Sequence, residues 1–170
     1  VALDSDPEVM RYITGGRPTP RKTYVNTFLP RWLEIYEKRP QLGYWAVEPW
    51  SSPELIGWFH LRDDRMEPQY LELGYRFERA AWGQGYATEG ARALLAHGFL
   101  RAGAGQISAR TLLGNRASQH VMEKCGLRHV GDFVYPEDVI AGRDPVERAA
   151  VKYAIERREF FFLARSQINS

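Results

Sequence analysis

Apolar and polar residues recur with two different periods along this chain. In the N-terminal part, apolar side chains return every three or four positions, which predicts a short helix that begins at residues 6–8 and ends at residues 15–16. A longer amphipathic helix opens at residues 19–20. Its predicted inner face carries Val25, Phe28, Leu29, Trp32, Leu33 and Tyr36.

From residue 43 the apolar period shortens to two, which predicts β-strands at residues 44–47, 54–61 and 69–77. Turn-forming residues at 49–53 and 63–65 connect these strands. Because both connections are short, we expect the three strands to form an antiparallel meander.

Helices and strands alternate after the meander. A glycine-punctuated loop at residues 82–87 leads into a helix, and a strand at residues 107–112 follows that helix. Because a helix intervenes, this strand should lie parallel to the strand that precedes the loop. The apolar face of the helix carries Ala91, Leu94, Leu95, Phe99 and Ala102.

A further helix is predicted to begin at Asn115 and to end at Gly126. Strands at residues 128–135 and 151–155, joined by the polar segment 136–146, complete the order of elements. This order predicts an α/β fold with a mixed sheet and helices on both faces. The inner face of the helix should carry Ala117, Val121, Met122 and Cys125.

Length and composition narrow the class of protein. The chain has 170 residues, of which 44% are apolar and 26% charged, so we expect a single soluble domain over residues 1–170. No apolar run reaches the length of a membrane span, from which we expect no membrane association and a cytoplasmic location. The net charge of +2 comes from mixed signs, which disfavours a nucleic-acid partner.

Cysteine and histidine usage predicts neither a disulfide nor a metal site. Cys125 is the single cysteine, and the four histidines have no zinc-site spacing. Cys125 lies late on the apolar face of its helix, so we expect a core residue rather than a nucleophile.

The glycine loop is a candidate anion site. The first N–H groups of a helix are unpaired and point outward, and Gly83, Gly85 and Ala87 add no bulk that would keep a phosphate away. A tight strand-to-helix turn explains the same glycines. No P-loop string is present, and Thr88 stands where a dinucleotide fingerprint needs its third glycine, which disfavours NAD(P).

Several segments together carry a family resemblance: residues 73–77 (LGYRF), 82–89 (WGQGYATE), 115–118 (NRAS) and 123–127 (EKCGL). Their combination resembles the GNAT superfamily of N-acetyltransferases, in particular the branch of the ribosomal-protein N-acetyltransferases RimJ and RimL. The resemblance covers nearly the whole chain. It implies an acetyl-CoA-dependent enzyme whose mostly antiparallel sheet contains one splayed parallel strand pair.

The resemblance also implies which residues bind acetyl-CoA. Backbone amides of the loop hold the CoA pyrophosphate in the family, and Trp82 departs from the usual Gln or Arg at the first position. The loop residues concerned are Trp82, Gly83, Gln84, Gly85, Tyr86, Ala87 and Thr88. Backbone groups of Tyr75, Arg76 and Phe77 would pair with pantetheine in the gap between the splayed strands, and Asn115 would bind the pantetheine arm. Gly74 suits either a bulge or a crowded sheet position.

Catalytic roles follow from the same resemblance. Many members have a tyrosine seven residues after the asparagine as the acid that protonates the thiolate, but Met122 stands there. Ser118 is then the expected donor, as proposed for the RimL branch. An ordinary helix start explains Asn115 and Ser118 as well, since Asn caps helices and Ser bonds the backbone of the first turn.

Glu72 is the candidate general base, because partial burial between Leu71 and Leu73 would raise its pKa toward a useful value. Strand alternation gives the competing interpretation, in which Glu72 lies on the solvated face.

The acceptor site is expected, by resemblance, near residues 15–17 and 136–146. Glu137, Asp138 and Asp144 would attract a cationic amine there, although a solvated loop explains them too. Residues 157–170 form a C-terminal tail whose aromatic block 160–163 packs on the domain or on a second subunit of a homodimer. Family members have a β-strand ahead of the position of Asp6, which we expect to be missing here.

Two function classes remain. The first is acetyl transfer to a primary amine of a protein N-terminus or a small molecule. The second is a non-catalytic CoA-binding sensor or assembly module, which a groove blocked by Trp50, Phe133 or the aromatic tail would favour.

Overall fold

The computed structural model describes residues 1–50, 52–140 and 142–168, and side chains up to residue 165. Parts of the predicted turn at 49–53, of the segment 136–146 and of the tail therefore lie outside the described residues. The helices are α1 (Pro7–Thr14), α2 (Arg21–Thr23), α3 (Leu29–Lys38), α4 (Tyr86–Leu100), α5 (Arg116–Lys124) and α6 (Arg157–Ile168). A π-helical turn (Tyr24–Phe28) joins α2 to α3, and 3-10 turns occur at Leu3–Ser5 and Arg79–Ala81.

Local chemistry sets both ends of α1. The Asp6 side chain accepts a hydrogen bond from the Glu8 amide, and Pro7 occupies the first helical turn, where its missing N–H costs nothing. Gly15 ends the helix at a φ of 75°, a left-handed conformation that favours glycine. The predicted bounds of this helix are confirmed.

The inner face of the second helical segment differs from the prediction. Trp32 stacks on Tyr44 with 4.2 Å between ring centroids, and Phe28 packs beside it. A second stripe has the same four-residue spacing and lies one position later along the helix. Its side chains are largely exposed: Val25 by 46%, Leu29 by 43% and Leu33 by 59%. Only one such stripe can face the sheet, and the aromatic one does, because its rings reach Tyr44 and Trp58.

The sheet has six strands in the order β1-β2-β3-β4-β6-β5. The strands are β1 (Gly43–Val47), β2 (Gly57–Asp63), β3 (Leu71–Phe77), β4 (Gln106–Leu112), β5 (Arg128–Val134) and β6 (Ala149–Glu156). The first three form the predicted antiparallel meander, and β4 runs parallel to β3 as expected. Strand β2 begins at Gly57, so residues 54–56 of the predicted strand lie outside it.

Strands β3 and β4 separate soon after they meet. Only two residue pairs join them, Leu71 with Ile107 and Glu72 with Ser108. Beyond Glu72, β3 stays paired with β2, and β4 stays paired with β6. The mixed sheet with a splayed parallel pair is therefore confirmed, and the gap opens toward the carboxyl ends of both strands.

The hydrophobic core lies between the sheet and α4. Leu71, Leu73 and Phe77 of β3 face Leu95 and Phe99 of the helix within one buried cluster. Trp58 and His60 of β2 point to the opposite face, toward Tyr44 and the N-terminal helices, so helices cover both faces. Ala102 packs against the core although α4 ends at Leu100.

Helix α5 buries Met122 and Cys125 as predicted, but the prediction for Ala117 is wrong because that residue is exposed. Gln119 takes the inner position instead. Its amide group donates to the Leu113 carbonyl oxygen at 2.8 Å and so closes the strand-to-helix turn.

Gly74 fills a crowded sheet position. The β2–β3 register runs without interruption past Gly74, which lies opposite His60, so the bulge alternative is wrong. A Cβ atom at Gly74 would come within 2.3 Å of the His60 ring. The crowding explanation is confirmed.

The predicted C-terminal tail is helix α6, packed on its own domain. Phe160 lies 5.0 Å from Phe99 between ring centroids, and Phe160 and Phe161 adjoin the core. Phe162 is 71% exposed. None of the helices in the described ranges combines the length and apolar character that a membrane crossing requires.

Candidate active site

The glycine loop is anchored at both sides of its first turn. The Trp82 indole N–H donates to the Phe77 carbonyl oxygen at 2.9 Å, and the Gln84 side chain donates to the Ala80 carbonyl oxygen at 2.5 Å. Gly83 and Gly85 have φ values of 73° and 91°, which other residues rarely adopt. These contacts hold the loop at the end of β3, directly before α4.

The loop presents a row of unpaired amides. Across the described residues, the N–H groups of residues 83–87 donate to no protein acceptor, while the Thr88 amide donates to Gly85. Cβ atoms at Gly83 and Gly85 would meet no atom within 4 Å, so the space in front of the amides is open. Together with the helix dipole, this arrangement fits a diphosphate.

The gap between β3 and β4 starts two residues into β3. From residue 73 onward, the backbone groups of β3 that face β4 have no strand partner, and Tyr75, Arg76 and Phe77 lie along this edge. An extended polar chain can add to such an edge by backbone hydrogen bonds. The edge begins beside Glu72 and ends at the glycine loop.

The first turn of α5 faces the gap from the β4 side. The Asn115 side-chain oxygen accepts a hydrogen bond from the Ser118 amide at 3.2 Å, so Asn115 is a helix cap. Its side-chain NH₂ group makes no hydrogen bond within the described part of the chain, which leaves two donors for a ligand.

A side-chain contact joins the two walls of the gap. The Tyr75 hydroxyl of β3 donates to the Ser118 hydroxyl oxygen of α5 at 3.2 Å. The Tyr75 ring packs near Phe59 and Phe77, with centroids 5.8 and 6.1 Å away. Burial raises the pKa of Tyr75 to about 12 against a smaller opposing effect of Ser118, so the phenol keeps its proton near neutral pH.

Cys125 is part of the core, as predicted. Its thiol contacts the Thr88 carbonyl oxygen at 3.6 Å between α5 and α4. Burial raises the pKa of the thiol, which disfavours the thiolate that a nucleophile needs.

Glu72 lies at the last paired position before the gap, on the sheet face opposite the core. Its side chain is 14% exposed, so it is not on a solvated face. It forms an ion pair with Arg62, and Arg110 lies 3.7 Å away. These two guanidinium groups place positive charge directly beside the Glu72 carboxylate.

Arg110 is held in place by a buried network. It pairs with Asp64 and, at 2.6 Å, with Glu67. Burial would raise the pKa of Asp64, but hydrogen bonds from Ser108, Arg110 and the Met66 amide outweigh it and lower that pKa. Arg110 thus stays beside Glu72 as a fixed positive charge.

His60 is a buried neutral imidazole next to Glu72. Its Nε2 atom lies 4.0 Å from a Glu72 oxygen, and neither ring nitrogen has a hydrogen-bond partner among the residues that the structure describes. Burial, with the charges of Arg62, Arg65 and Arg76, lowers its pKa well below the ordinary 6.5. No sequence pattern pointed to His60, Arg62 or Arg110, because their proximity to Glu72 depends on which strands are neighbours and on their register.

A cleft lies where the acceptor site was expected, beside residues 15–17 and 142–149, with a volume of about 690 Å³. Its walls carry Arg11, Arg17, Arg116 and Arg143 but only one carboxylate, Glu147. The expectation that Glu137, Asp138 and Asp144 attract a cationic amine is not supported, because none of them lines this cleft. Arg17 and Arg143 lie within the expected ranges, 15–17 and 136–146, whereas Arg11 and Arg116 were not predicted, since the cleft draws its arginines from three separate parts of the chain.

Comparison with known proteins assigns this chain to a family. The sequence profile described as "Acetyltransferase (GNAT) domain" matches residues 1–128, about three quarters of the chain. This chain belongs to the GNAT acetyltransferase family. Its members use acetyl-CoA, and the loop and splayed strands described above are the parts of this chain that fit that donor.

Individual relatives agree with this assignment. A protein of Aspergillus fumigatus named FsC-acetyl coenzyme A-N(2)-transacetylase is 33% identical over 172 residues, which cover 93% of this chain and 68% of that protein. A GNAT acetyltransferase from Bacillus anthracis superimposes with a TM-score of 0.70 at 27% identity, covering 92% of this chain and 86% of its own. Spermidine N-acetyltransferase from Vibrio cholerae, solved with CoA and spermine, has a TM-score of 0.69 at 20% identity, covering 94% and 89%; it shows the shared fold alone.

The protein is therefore an N-acetyltransferase of the GNAT type. The structure does not support the alternative of a non-catalytic CoA-binding module, which required a blocked groove. Trp50 is exposed, Phe160 of the aromatic block packs on Phe99 of α4, and Phe133 does not line the cleft. In the described ranges, no cluster of three or more His, Cys, Asp or Glu side chains is arranged to hold a metal ion.

Proposed function

We propose that this GNAT enzyme transfers the acetyl group of acetyl-CoA directly to a primary amine, on a small molecule or a protein N-terminus. The observation that carries the proposal is the continuous path from the open amides of residues 83–87, along the unpaired edge of β3, to the first turn of α5. A long, flexible donor with a diphosphate at one end and a thioester at the other matches this path.

Along this path, the amides of residues 83–87 bind the diphosphate, and the backbone of residues 75–77 pairs with pantetheine. The Asn115 side chain donates its NH₂ group to the same arm while its oxygen caps α5. Trp82, Gln84, Tyr86 and Thr88 complete the binding loop. Trp82 acts through its bond to Phe77, which fixes the loop against β3.

Bond making and bond breaking take place between the gap and the cleft. The amine nitrogen attacks the thioester carbonyl carbon, and the carbon–sulfur bond then breaks. Ser118 donates its hydroxyl proton to the departing thiolate and takes a proton back from water, while Tyr75 holds the Ser118 oxygen from the core side so that the donated proton points into the gap. The contact supports Ser118 as the acid in a chain where Met122 has no proton to give.

Glu72 is proposed as the base. Arg62 pairs with its carboxylate and Arg110 lies 3.7 Å from it, so the carboxylate is fixed where it can accept a proton from the attacking amine through water. Its position at the start of the gap supports this role, because every residue of β3 beyond it borders the proposed donor site. His60 and the two arginines act as positioning residues for this carboxylate.

Three finer assignments accompany the proposal. Ser118, in place of the usual tyrosine, supports the RimJ and RimL branch. A cytoplasmic location stays a prediction from the sequence. A homodimer is supported by the exposed apolar side chains of α3 and α6, among them Leu33 and Phe162.

The decisive experiment is titration of the protein with acetyl-CoA in a calorimeter, followed by a thiol-release assay across pooled amines and N-terminal peptides. We expect one binding site per chain and amine-dependent release of CoA. Ser118→Ala should retain binding and lose turnover, whereas Ser52→Ala, at a half-buried serine outside the gap, should retain both. Absence of acetyl-CoA binding to the unaltered protein would refute the proposal.

A further inference from the structure

We infer that the acceptor amine carries an anionic group, a carboxylate or a phosphate, which the arginine cleft binds. The arginine cleft is the cavity lined by Arg11, Arg17, Arg116 and Arg143. This inference rests on the proposed function, because it assigns the substrate class of the same active site.

The arginine cleft adjoins the proposed site of bond breaking. Its walls come from the end of α1, the end of β4 with the following turn, and residues 142–149. Gly114 and Arg116 both line it, and Asn115 between them starts the helix that carries Ser118. A molecule in the cleft therefore lies beside the mouth of the β3–β4 gap, where an acceptor must approach.

The charge of this cleft differs from that of the whole protein. The chain has a net charge of only +2, with 23 basic and 21 acidic residues, yet four guanidinium groups and one carboxylate line this cavity. A concave surface of one sign concentrates ions of the opposite sign. Arginine also matches carboxylate and phosphate oxygens with paired N–H donors, which lysine does not.

Two of the four arginines have positive charge available for a ligand in the cleft. Arg143 donates to the Arg11 backbone oxygen at 2.8 Å, and Arg116 donates to the Gln119 side-chain oxygen at 3.0 Å. Both acceptors are uncharged, and neither arginine forms an ion pair with a carboxylate in the part of the chain that the structure describes. Each guanidinium keeps further N–H groups for a ligand.

The size and the remaining walls of the cleft favour a small molecule. Its volume of about 690 Å³ lies within the range of small-ligand sites, roughly 300–1,000 Å³. Tyr12, Leu112 and Val146 supply apolar surface between the arginines. The expected acceptor thus has an amine at one end, a short apolar stem, and a carboxylate or phosphate at the other.

A different occupant would be a phosphate group of CoA itself. The loop amides already provide a site for the diphosphate, and the cleft shares no lining residue with the cavity beside Arg79 and Trp82. The 3′-phosphate of CoA is the group that an arginine pair could bind instead. A donor that lacks this phosphate separates the two possibilities.

The test compares matched acceptors at saturating acetyl-CoA. One arm sets lysine against lysinamide and cadaverine, and a second arm sets O-phosphoethanolamine against ethanolamine. In at least one arm, we expect the amine that carries a carboxylate or phosphate to have a kcat/KM about tenfold or more above the amines that lack this group, with the difference falling as salt rises. The arm in which this difference in kcat/KM is found shows whether the cleft prefers a carboxylate or a phosphate.

Arginine variants then locate the effect. Arg143→Gln and Arg116→Gln should raise KM for the anionic acceptor by about tenfold while KM for acetyl-CoA changes by less than about twofold. Arg143→Lys should recover part of the loss, because it keeps the charge without the paired donors. Arg101→Gln, an exposed arginine at the end of α4, is the control and should change neither constant.

Three results would overturn the inference. The first is a preference, in both arms, for the amines that lack a carboxylate or phosphate. The second is an acceptor KM that the variants leave unchanged. The third is a KM that the variants raise for acetyl-CoA but not for 3′-dephospho-acetyl-CoA. Each of these results leaves acetyl transfer itself intact. Lack of turnover with every amine, together with lack of acetyl-CoA binding, would instead overturn the proposed function and this inference with it.

Discussion

The hydroxyl of Tyr75 donates a hydrogen bond to the Ser118 hydroxyl oxygen at 3.2 Å, across the open end of the β3–β4 gap. The two residues are 43 positions apart in the chain and lie on opposite walls of the proposed donor site. Since a hydroxyl oxygen that accepts one hydrogen bond can still donate its own proton, this contact orients Ser118 without occupying its proton.

Tyr75→Phe should lower kcat by about threefold to tenfold, because the hydrogen bond that positions Ser118 is worth roughly 0.5–1.5 kcal/mol. Ser118→Ala should lower kcat by about 10²-fold, the usual contribution of a general acid. Steady-state kinetics at saturating acetyl-CoA measures both.

If Tyr75 acts through Ser118, the double variant should be no slower than Ser118→Ala alone. Tyr153→Phe is the matched control, because its hydroxyl donates to Glu123 at 2.9 Å, away from the gap. Additive losses in the double variant would contradict the positioning role of Tyr75.

Gly85→Ala should weaken acetyl-CoA binding by on the order of tenfold, because a methyl group at this position enters the space in front of the loop amides. The substitution should also lower the free energy of unfolding by about 1–2 kcal/mol, since Gly85 has a φ of 91°. Calorimetric titration and urea unfolding measure the two effects.

Gly103→Ala separates these effects. Gly103 has a φ of 70° and no atom within 4 Å of a Cβ, but it lies after α4, far from the loop in sequence. It should show a similar loss of stability with unchanged affinity. Equal affinity losses in both variants would mean that strain, rather than blocked amides, weakens binding.

Glu72→Gln should reduce kcat/KM by about 10²-fold at neutral pH, and the deficit should shrink as pH rises. Free amines deprotonate on their own near their pKa of roughly 10, so a base matters less in alkaline solution. A pH profile of kcat/KM for both proteins measures this. Glu67→Gln is the control, because Glu67 also pairs with Arg110 but precedes β3, whereas Glu72 lies at the last position of β3 that pairs with β4. A deficit that stays constant with pH would exclude Glu72 as the base.

Acidification should destabilise the protein through His60. Its folded pKa lies well below 6.5, the ordinary value expected in the unfolded chain, so the unfolded state binds more protons between these two values. Stability therefore rises with pH in this window and falls as pH drops below 6.5, by up to about 1.4 kcal/mol per pH unit.

Urea unfolding at about pH 7.5 and about pH 5.5 tests this dependence. The loss of stability between the two conditions should be about 1 kcal/mol smaller in His60→Gln than in the unaltered protein, because glutamine does not titrate. His120→Gln removes an exposed imidazole and should leave the loss unchanged. An equal loss in all three proteins would exclude His60 as the cause.

The order of elements and the donor loop could be predicted from sequence because their signals are local. Proline and a capping aspartate start α1, left-handed glycines end α1 and shape the loop, and Asn115 caps α5. Alternation identified every strand, although β2 starts three residues later than predicted. Family motifs then pointed to the residues along the gap.

Predictions of which face of a strand or helix packs against a neighbouring element were less accurate. Alternation placed Glu72 on one face of β3 but did not show that Arg62 lies opposite it on β2 and Arg110 beside it on β4. The helical period was correct for the segment before β1, yet the aromatic stripe, not Leu29 and Leu33, turned inward. In both cases a neighbouring element supplied the deciding contact.

Local sequence thus determined where each helix and strand lies and that a run of open amides begins α4, because caps, glycines and periodicity act within a few residues. Tertiary structure alone decided that β3 and β4 part after two residue pairs, that Tyr75 meets Ser118, and that four arginines from distant segments share one cleft. These features arise from the packing of whole elements against one another, and no short stretch of the chain encodes that packing.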